Sequence, residues 1–404
     1  MVDLGLKMVR AAIVTHDTLW FKASASLNEI STFRCNERNS TLSLSYSFYL
    51  LRGQSYLKKY PTISQGKAMA ELHVFSTASQ HAKAEMPGYE TDDKQLLPQK
   101  RQQWLRMMRR SITRWIPDRL YIAHRYQKHF GVRPNLVNPE TFNEKICYRR
   151  LHPEPIFSPL SDKLLVRDYV RQKIGDETLL PLYPVSQPFT QHDYDRLPNS
   201  FVLKANHGSG YNLVVRNKAD YSFDTMRRLS DHWLASNFYR DSRELHYRSI
   251  TPRLMCEKLL LDEHGKIPKD YKFYCFRAEG QAPKVFIEVT HDRFTDFHVD
   301  YYDQDWNLVD VVDERFNTGD PIEKPAQLDR AMKLALKLSE GFGFVRVDFY
   351  LMRDAIYFGE ITFTPTGGMK NFRSAAHDRA WGELFDHQPM TRDFGYEDIE
   401  GNRY

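Results

Sequence analysis

Two neighbouring strand-like runs near the carboxyl end of the chain place charged side chains among apolar ones. Because successive side chains point to opposite faces of a strand, Arg346 and Asp348 share one face, and so do Glu360 and Thr362. If the runs pair as a hairpin, two carboxylates converge. Mg²⁺ prefers such hard oxygen ligands, and the guanidinium beside them could stabilise charge that develops in a group transfer. The competing interpretation is an Arg–Asp pair on a solvated face, which the surrounding apolar residues make less attractive.

A lysine at the end of an earlier strand-like run is followed by a loop of small residues. Lys204 ends the run, and His207, Gly208, Ser209 and Gly210 lie in the loop before a second run begins. Backbone N–H groups in such a loop can approach phosphate oxygens while the lysine supplies charge. No helix follows, so this is not a Walker motif. The competing interpretation is an ordinary hairpin with glycine at its turn, in which His207 would be structural.

Two further lysines lie on strand-like runs between these sites. The apolar run of residues 254–260 is interrupted by Glu257 and Lys258, which could orient the polar edge of a nucleotide base stacked on the apolar wall. Lys272, in the run of residues 270–273, is a second candidate for a phosphate contact. Taken alone, each feature also fits a strand that leaves the core or a surface charge.

The elements that must position these residues alternate between strands and helices in the second half of the chain. Helical spacing predicts helices over residues 226–236 and 328–338. The predicted strands are residues 201–204, 212–216, 254–259, 271–276, 284–289, 344–350 and 355–361. Together they predict an α+β fold.

Two helices are predicted before this region. The segment of residues 138–145 begins with an Asn-Pro turn, and Thr141 with Glu144 forms the pattern of a capping box. A second helix opens at residues 161–163, carries apolar residues along one side and stops at Gly175.

The amino-terminal region differs from the rest. Residues 1–96 show no sustained helical or strand period, which predicts a poorly structured or appended segment. Residues 97–160 are predicted to be a helical lead-in and residues 161–404 a catalytic domain. A basic amphipathic helix over residues 99–115 could pack onto the following domain, which is the commoner arrangement, or lie on an anionic membrane surface.

Composition excludes several classes of protein. There are 57 Lys and Arg residues against 52 Asp and Glu, and this balance of +5 is spread along the chain, so no nucleic-acid partner is predicted. The 4 cysteines have neither CxxC nor zinc-site spacing. No apolar stretch approaches the length of a membrane span, and no signal peptide is evident. These features predict a soluble, cytoplasmic protein.

The order of the motifs resembles the ATP-grasp superfamily, which includes D-alanine:D-alanine ligase. The closer resemblance is to the TupA-like ATP-grasp family of teichuronopeptide and surface-polysaccharide biosynthesis, and it extends from about Pro117 to the carboxyl terminus. The segments that carry it are residues 138–145, 162–163, 204–210, 270–273 and 359–365. The resemblance implies an α+β ATP-grasp fold in which two α/β subdomains clasp ATP, with a mostly helical N-terminal extension.

The resemblance also implies how the nucleotide is bound. Lys163 and Lys204 would hold the ATP phosphates, residues 208–210 would form the lid loop, and Glu257 with Lys258 would line the adenine side. The acid that binds the ribose has three candidates: Asp262, Glu263 and Asp270.

At the metal site, the resemblance assigns Mg²⁺ to Asp348 and Glu360 and assigns Arg346 to stabilising an acyl-phosphate or tetrahedral species. One residue departs from the family pattern. Many ATP-grasp ligases place Asn two residues after the metal-bridging Glu, whereas this chain has Thr362, whose single hydroxyl is a poorer metal ligand.

The function implied is an ATP- and Mg²⁺-dependent ligase of bacterial cell-surface polysaccharide biosynthesis, which joins an amine to a carboxylate of a glycan precursor. The basic helix of residues 99–115 could hold such an enzyme at the inner face of the membrane. ATP would phosphorylate the carboxylate and the amine would then displace phosphate, which agrees with the lack of a convincing Ser-His-Asp or Cys-His set. Two alternatives stay open: a glycosyl- or phosphotransferase on the same fold, and a nucleotide-binding subunit that has lost turnover.

Overall fold

The computed structural model describes residues 115–291, 298–387, 394–398 and 401–404, together with the backbone of four strands between residues 9 and 46. The chain divides into two compact units, Met1–Gln80 and His81–Tyr404. In the first unit, β1 (Val9–Thr15), β2 (Thr18–Ser26), β3 (Glu29–Asn36) and β4 (Thr41–Tyr46) form one antiparallel sheet in sequence order.

The sequence predicted no strands in this region, and the expectation that residues 1–96 are poorly structured or appended stays a prediction. Short apolar bursts among Ser and Thr residues give no clean alternation, which is why the sequence predicted no strands there. The predicted basic helix falls on residues 99–114, outside the described residues, and on Trp115, which lies in a turn. The three predicted domain boundaries stay predictions.

The second unit mixes helices with two sheets. Its α-helices are α1 (Asp118–Phe130), α2 (Phe142–Leu151), α3 (Phe157–Ser161), α4 (Val166–Ile174), α5 (Gln191–Arg196), α6 (Phe223–Leu234), α7 (Phe238–Ser242), α8 (Leu328–Leu338) and α9 (Ala375–Gly382). Its strands are β5 (Leu182–Tyr183), β6 (Phe201–Ala205), β7 (Asn212–Val215), β8 (Leu254–Lys258), β9 (Asp270–Phe276), β10 (Lys284–His291), β11 (His298–Tyr302), β12 (Leu308–Val309), β13 (Phe344–Leu351) and β14 (Ile356–Thr362). The predicted α+β class is confirmed.

The smaller sheet has the order β5-β8-β6-β7 and is antiparallel. Alternation along β6 turns Phe201, Leu203 and Ala205 into an apolar core shared with Met226 and Trp233 of α6. Its other side chains therefore lie on the opposite face of the sheet, where the predicted phosphate lysine is found.

The larger sheet is also antiparallel and has the order β12-β11-β10-β9-β13-β14. One face packs against α4 and α8, where Val345, Val347 and Phe349 meet Val170 and Leu338. This contiguous apolar core fixes which side chains of β13 point the other way.

The opposite face of the larger sheet is divided along its strands. At one end, Phe276 and Phe344 pack under Phe142 of α2 and Trp381 of α9. Farther along the same strands the side chains become charged. Helices α2 and α9 thus cover the apolar half and leave the polar half for a site.

The predicted elements match closely where the hydrophobic period is regular. Helix α8 has the predicted bounds, and the capping box at α2 is present: Thr141 Oγ1 accepts the Glu144 N–H at 3.3 Å, and Glu144 Oε2 accepts the Thr141 N–H at 3.3 Å. The helix expected from residue 161 begins only at Val166, because the Asp162 side chain accepts the N–H of Leu164 and holds a turn before it. The sequence missed β5, β11 and β12, of which β5 and β12 have only 2 residues each.

Within the described residues, every helix is too short or too polar to cross a membrane.

A stability prediction follows from the contact between α9 and α2. A Cβ added at Gly382 would lie 2.1 Å from the carbonyl oxygen of Glu140 and 2.8 Å from the carbonyl carbon of Thr141. We expect Gly382→Ala to lower the free energy of unfolding by about 2–3 kcal/mol, since backbone must move to admit the methyl group. Urea unfolding followed by tryptophan fluorescence measures the change.

The control is Gly280→Ala, at a position with φ +72° where a Cβ would meet nothing within 4 Å. It carries only the cost of a left-handed backbone, about 1 kcal/mol. Equal losses in the two variants would contradict the proposed packing of α9 on α2.

Candidate functional site

A buried arginine on the larger sheet lies between two carboxylates. Strands β13 and β14 pair so that Arg346 is opposite Thr362 and Asp348 is opposite Glu360. Arg346 Nε donates to Asp348 Oδ1 at 2.7 Å, and its Nη2 donates to Asp348 Oδ2 and to Glu360 Oε1, each at 2.7 Å. The predicted convergence of two carboxylates is present, and the burial of Arg346 and Asp348 contradicts a solvated surface pair.

Burial controls the charges of this cluster. It raises the pKa of Asp348 to about 7, although Arg346 beside it favours the ionised form. Burial also acts to lower the pKa of Arg346, but Asp348, Tyr274 and Glu360 together outweigh it, and the pKa stands well above its ordinary value. A bound cation would therefore reinforce the ionised state of Asp348. Among the described residues, none accepts a hydrogen bond from Arg346 Nη1, so those two N–H groups can face a ligand.

The donor set is compatible with Mg²⁺ only if the nucleotide completes the coordination. Asp348 and Glu360 supply carboxylate oxygens, while the Thr362 hydroxyl donates to Glu360 Oε1 at 3.1 Å. No group of three or more His, Cys, Asp or Glu residues that could hold a metal occurs in the described part of the chain. Mg²⁺ commonly takes one or two carboxylates and completes its octahedron with phosphate oxygens and water. The two carboxylates fit that pattern.

The smaller sheet presents a lysine beside an apolar wall. Lys204 Nζ donates to Glu257 Oε2, and Arg167 Nη1 lies 3.6 Å from Glu257 Oε1. Register places Val202 opposite Glu257 and Met255 opposite Lys204, so all four share the face turned away from the core. A charged group next to apolar side chains is the arrangement expected for a nucleotide.

Lys258 has no place on that face. Its side chain points to the other side of β8 and is exposed, and its backbone N–H donates to Pro181 O at 3.0 Å. The expectation that its side chain lines the adenine is therefore corrected: strand alternation separates Glu257 from Lys258. Only the backbone of Lys258 is shared with this region.

Lys163 lies between the charged groups of the two sheets. Its Nζ donates to Gly208 O at 2.6 Å. Burial lowers its pKa, Glu360 and Glu257 oppose that shift, and Lys204 adds to it. The lysine is thus within electrostatic reach of Glu360 on the larger sheet and of Glu257 and Lys204 on the smaller sheet, where it could contact a phosphate that spans them.

A buried asparagine that the sequence did not single out as a site residue holds this lysine in place. The Asn206 backbone N–H donates to Arg253 O at 2.9 Å, and Asn206 Oδ1 accepts the Arg253 N–H at 2.6 Å. Its Nδ2 donates to Asp162 Oδ2 at 2.7 Å and to Thr251 O at 3.0 Å. Its backbone carbonyl accepts the Lys163 N–H at 3.2 Å. These contacts bind the segment that carries Lys163 to the end of β6.

The His207 side chain connects the loop to the end of α6. Its ring is buried, with Nε2 3.1 Å from the carbonyl of Trp233 and 3.2 Å from that of Ser236. Two carbonyls can only accept, so Nε2 carries a proton there. Burial lowers the pKa of the ring, although the hydrogen bonds to the Ser236 and Trp233 carbonyls act to raise it. The side chain thus ties the loop to the end of α6, and the expectation that His207 belongs to a phosphate-binding loop stays a prediction.

The glycines of the loop are required by close contacts and by backbone conformation. A Cβ at Gly208 would lie 2.8 Å from the Tyr211 ring and 2.9 Å from Phe238 Cβ, and Gly210 has φ +82°. Ser209 between them is exposed. The loop thus has the exposed position that a phosphate-covering segment needs, and its role as a lid stays a prediction.

Lys272 lies on the same face of the larger sheet as Asp348. It is opposite Asp348 on β13 and opposite Glu288 on β10. Its Nζ donates to Glu288 Oε1 at 3.1 Å and to the hydroxyl of Thr290, and it lies 3.8 Å from Asp270 Oδ2. The lysine faces the carboxylates rather than Lys204. A phosphate that contacts Lys272 would therefore have to lie at the end of the nucleotide near Asp348.

The candidates for the ribose acid differ in their surroundings. Asp262 Oδ1 accepts the N–H groups of His264 and Lys266 at 2.9 and 2.8 Å, so it shapes a turn. Glu263 lies 3.6 Å from His264 in an exposed pair. Asp270 is buried beside Lys272. The choice among the three stays a prediction.

A segment with no regular period also reaches the site. Burial raises the pKa of Tyr247 well above its ordinary value, with Glu244 and Glu360 reinforcing the shift. Glu244 in turn accepts a hydrogen bond from the hydroxyl of Thr364, two residues beyond Thr362. The sequence missed this segment because short turns leave no hydrophobic pattern.

Residues 144–386, more than half of the chain, match the model of the TupA-like ATP-grasp family. The resemblance stated from the motifs is confirmed over that range. No curated protein matches the chain.

Similar solved structures are distant. They include N5-carboxyaminoimidazole ribonucleotide synthetase from Thermus thermophilus (13% identity, TM-score 0.31, 50% of this chain and 45% of that one). Two more are D-alanine-D-alanine ligase from Helicobacter pylori (11%, 0.34, 62% and 68%) and the ligase of the same name from Bacillus anthracis complexed with ATP (13%, 0.30, 56% and 63%). The chain spans 45% of the length of the first of these proteins, and at such scores the family match alone carries the assignment.

The two lysines near Glu257 give a matched test of the nucleotide face. We expect Lys204→Ala to weaken ATP binding about 10- to 100-fold, since a charge-assisted hydrogen bond contributes about 1.5–3 kcal/mol. Lys258→Ala should change affinity less than about twofold, because its side chain leaves the opposite side of β8. Titration calorimetry measures both affinities, and circular dichroism checks the fold. Similar losses in the two variants would refute the assignment of this face.

Proposed function

Because this chain belongs to the TupA-like ATP-grasp family, we propose that it is an ATP- and Mg²⁺-dependent ligase that joins an amine to a carboxylate. The observation that carries the proposal is Arg346, buried between Asp348 and Glu360, with Lys163 in electrostatic reach of Glu360. A buried guanidinium flanked by metal-type ligands suits a reaction in which negative charge builds up on phosphoryl and acyl oxygens.

The reaction has two steps. A carboxylate oxygen attacks the γ-phosphorus of ATP and ADP departs, leaving an acyl-phosphate. The amine then attacks the acyl carbon, phosphate departs and the nitrogen loses a proton. Such chemistry depends on positioning and charge neutralisation. Mg²⁺, when bound, would neutralise phosphate charge and act as a Lewis acid at the transferred group.

The roles of the chain's own residues follow from their places. Lys204 and Lys163 bind phosphates from the side of the smaller sheet and from the segment between the sheets. Asp348 and Glu360 present oxygens to the metal, and Arg346 Nη1 offers two N–H donors to a developing oxyanion. Burial strengthens these contacts because the local dielectric is low.

The substrates are proposed from the family. Its association with teichuronopeptide and surface-polysaccharide biosynthesis suggests a uronic-acid carboxylate and an amino-acid amine. The test is incubation with ATP, Mg²⁺ and panels of uronic acids and amines, followed by mass spectrometry. An amide product with ADP formed only when both substrates are present supports the proposal. A glycosidic product without ADP would favour a transferase, and ATP binding with no product would favour a nucleotide-binding subunit.

The charged cluster favours an enzyme over a subunit that only binds. Burying the charges of Arg346 and Asp348 costs free energy, and an apolar pair would stabilise a purely structural site equally well. Binding of adenine and phosphates would need Lys204 and the apolar wall, but not two additional carboxylates on the other sheet.

The metal hairpin gives a direct prediction. Asp348→Asn and Glu360→Gln keep the side-chain shape and remove only charge, so we expect ADP formation to fall about 100-fold or more. Nucleotide affinity measured without Mg²⁺ should change less than about threefold, because Lys163 and Lys204 are intact. ADP formation against Mg²⁺ concentration is the measurement.

Thr362→Asn is the matched variant on the same hairpin. It can keep the hydrogen bond to Glu360 and supplies an amide oxygen, so we expect turnover with equal or tighter half-saturation by Mg²⁺. Wild-type turnover and Mg²⁺ dependence in both charge-neutralised variants would show that the hairpin does not hold the metal.

We also propose that the protein works in the cytoplasm at an anionic membrane surface. Trp115 is 78% exposed and Leu120 is 62% exposed at the start of α1, where Arg119 lies between them. They follow directly on the basic sequence of residues 99–114. Exposed apolar side chains among cations suit a bilayer that carries negative headgroups.

Flotation with vesicles that contain phosphatidylserine tests this surface. Binding should fall with salt, and the double variant Trp115→Ser, Leu120→Ser should weaken it about tenfold, since both side chains lose apolar contact. Val132→Ser, at an exposed valine beyond the far end of α1, is the control and should leave binding unchanged. No binding at low salt would end the proposal.

A further inference from the structure

An asparagine of the α2 motif binds the backbone of a lysine far along the chain. Asn143 Nδ2 donates to Lys370 O at 2.9 Å, and Asn143 Oδ1 accepts the Lys370 N–H at 2.8 Å. The amide therefore satisfies both backbone groups of Lys370, as a neighbouring strand would. Asp378 of α9 fixes the asparagine by accepting its backbone N–H at 2.9 Å and its Nδ2 at 3.0 Å.

The chain before Lys370 fits closely against α2. A Cβ at Gly368, where φ is +71°, would lie 2.7 Å from Asn143 O and 2.7 Å from Cys147 Sγ. The backbone of residues 368–370 thus has little freedom to move, and the direction in which the Lys370 side chain leaves it is fixed.

The Lys370 side chain enters a buried polar network. Its Nζ lies 3.3 Å from Glu288 Oε2 and donates to the hydroxyl of Tyr301. The ammonium also lies 4.7 Å from the ring centre of Tyr274 and 4.5 Å from that of Tyr301. Glu288 accepts further hydrogen bonds from Tyr274 at 2.7 Å and from Lys272 at 3.1 Å.

This network lies directly beside the metal hairpin. Tyr274 is opposite Arg346, and Lys272 is opposite Asp348 in the pairing of β9 with β13. Burial would raise the pKa of Glu288, yet Lys272, Lys370 and Arg346 hold it well below its ordinary value. Lys370 is thus one of three cations around a single buried carboxylate.

A buried ion pair is weak evidence for stability, because apolar residues of similar size often serve a core equally well. Trp381 and Phe286 pack against each other in an apolar cluster on the same face. The polar network therefore lies at the boundary between the apolar core and the site on this face of the sheet. Packing alone does not explain its buried charges.

We propose that Lys370 is a positioning residue for the ligase reaction. Through Glu288, Lys370 fixes the side chains of Tyr274 and Lys272, which lie opposite Arg346 and Asp348. Asn143, in the motif at the start of α2, acts by holding the backbone of Lys370. The inference rests on the proposed function for its kinetic consequence, but its structural consequence, a fixed Arg346 guanidinium, can be measured without turnover.

The test compares two lysines of the same region. Lys370→Met keeps side-chain length and removes the charge, and we expect kcat to fall about 10- to 100-fold while ATP affinity changes less than about twofold. Lys145→Met is the control: its Nζ donates to the carbonyls of Gly382 and Phe385, each at 2.7 Å, and so joins α2 to the region of α9 without touching the network. It should lower Tm but keep kcat.

The second readout is the Arg346 Nε–H signal in a ¹⁵N NMR spectrum, assigned with Arg346→Lys. In Lys370→Met the signal should shift or broaden, and in Lys145→Met it should keep its position. Asn143→Ala should change it in the same direction as Lys370→Met. An unchanged signal in Lys370→Met would overturn the inference, as would a loss of kcat equal to that of Lys145→Met.

The two proposals fail separately. Wild-type protein that forms no ADP with any substrate pair would overturn the ligase proposal, while the NMR signal would still decide whether Lys370 positions Arg346. Combining Glu288→Gln with Lys370→Met should cost no more kcat than the worse single variant, because residues that act as one unit are not additive. Additive losses would overturn the link through Glu288.

Discussion

The burial of the Arg346 charge is the constraint on which the site depends. A guanidinium removed from water must be compensated by carboxylates and hydrogen bonds, or it costs several kcal/mol. Asp348 supplies two hydrogen bonds and Glu360 one, and both can do so only because β13 and β14 pair in one register. A shift of one residue would turn the carboxylates into the apolar core under α4 and α8.

The same constraint explains where the charged side chains lie on the two sheets. The larger sheet is apolar on its back and half apolar on its front, so its charges gather in the remaining part of the front face. The smaller sheet contributes Lys204 beside an apolar wall. Asn206 joins them by fixing the Lys163 segment to the end of β6, so that Lys163 lies within reach of carboxylates on both sheets.

Strand alternation let the sequence predict the parts of the site that depend on local pattern. The shared face of Arg346 and Asp348, the capping box of α2 and the bounds of α8 all follow from periods of two and 3.6 residues. The Lys258 side chain was misassigned because adjacency to Glu257 in sequence was taken as adjacency in space. Lys370 was missed because its partner Asn143 is 227 residues away, and no local period encodes such a contact.

An experimental structure with Mg²⁺ and a non-hydrolysable ATP analogue tests the central claim most directly. We expect a metal about 2.1 Å from oxygens of both Asp348 and Glu360 and from phosphate oxygens, with Lys163 and Lys204 contacting the phosphates. A metal held by water and phosphates away from the hairpin, with Arg346 still bound to both carboxylates and no contact to the ligand, would contradict it.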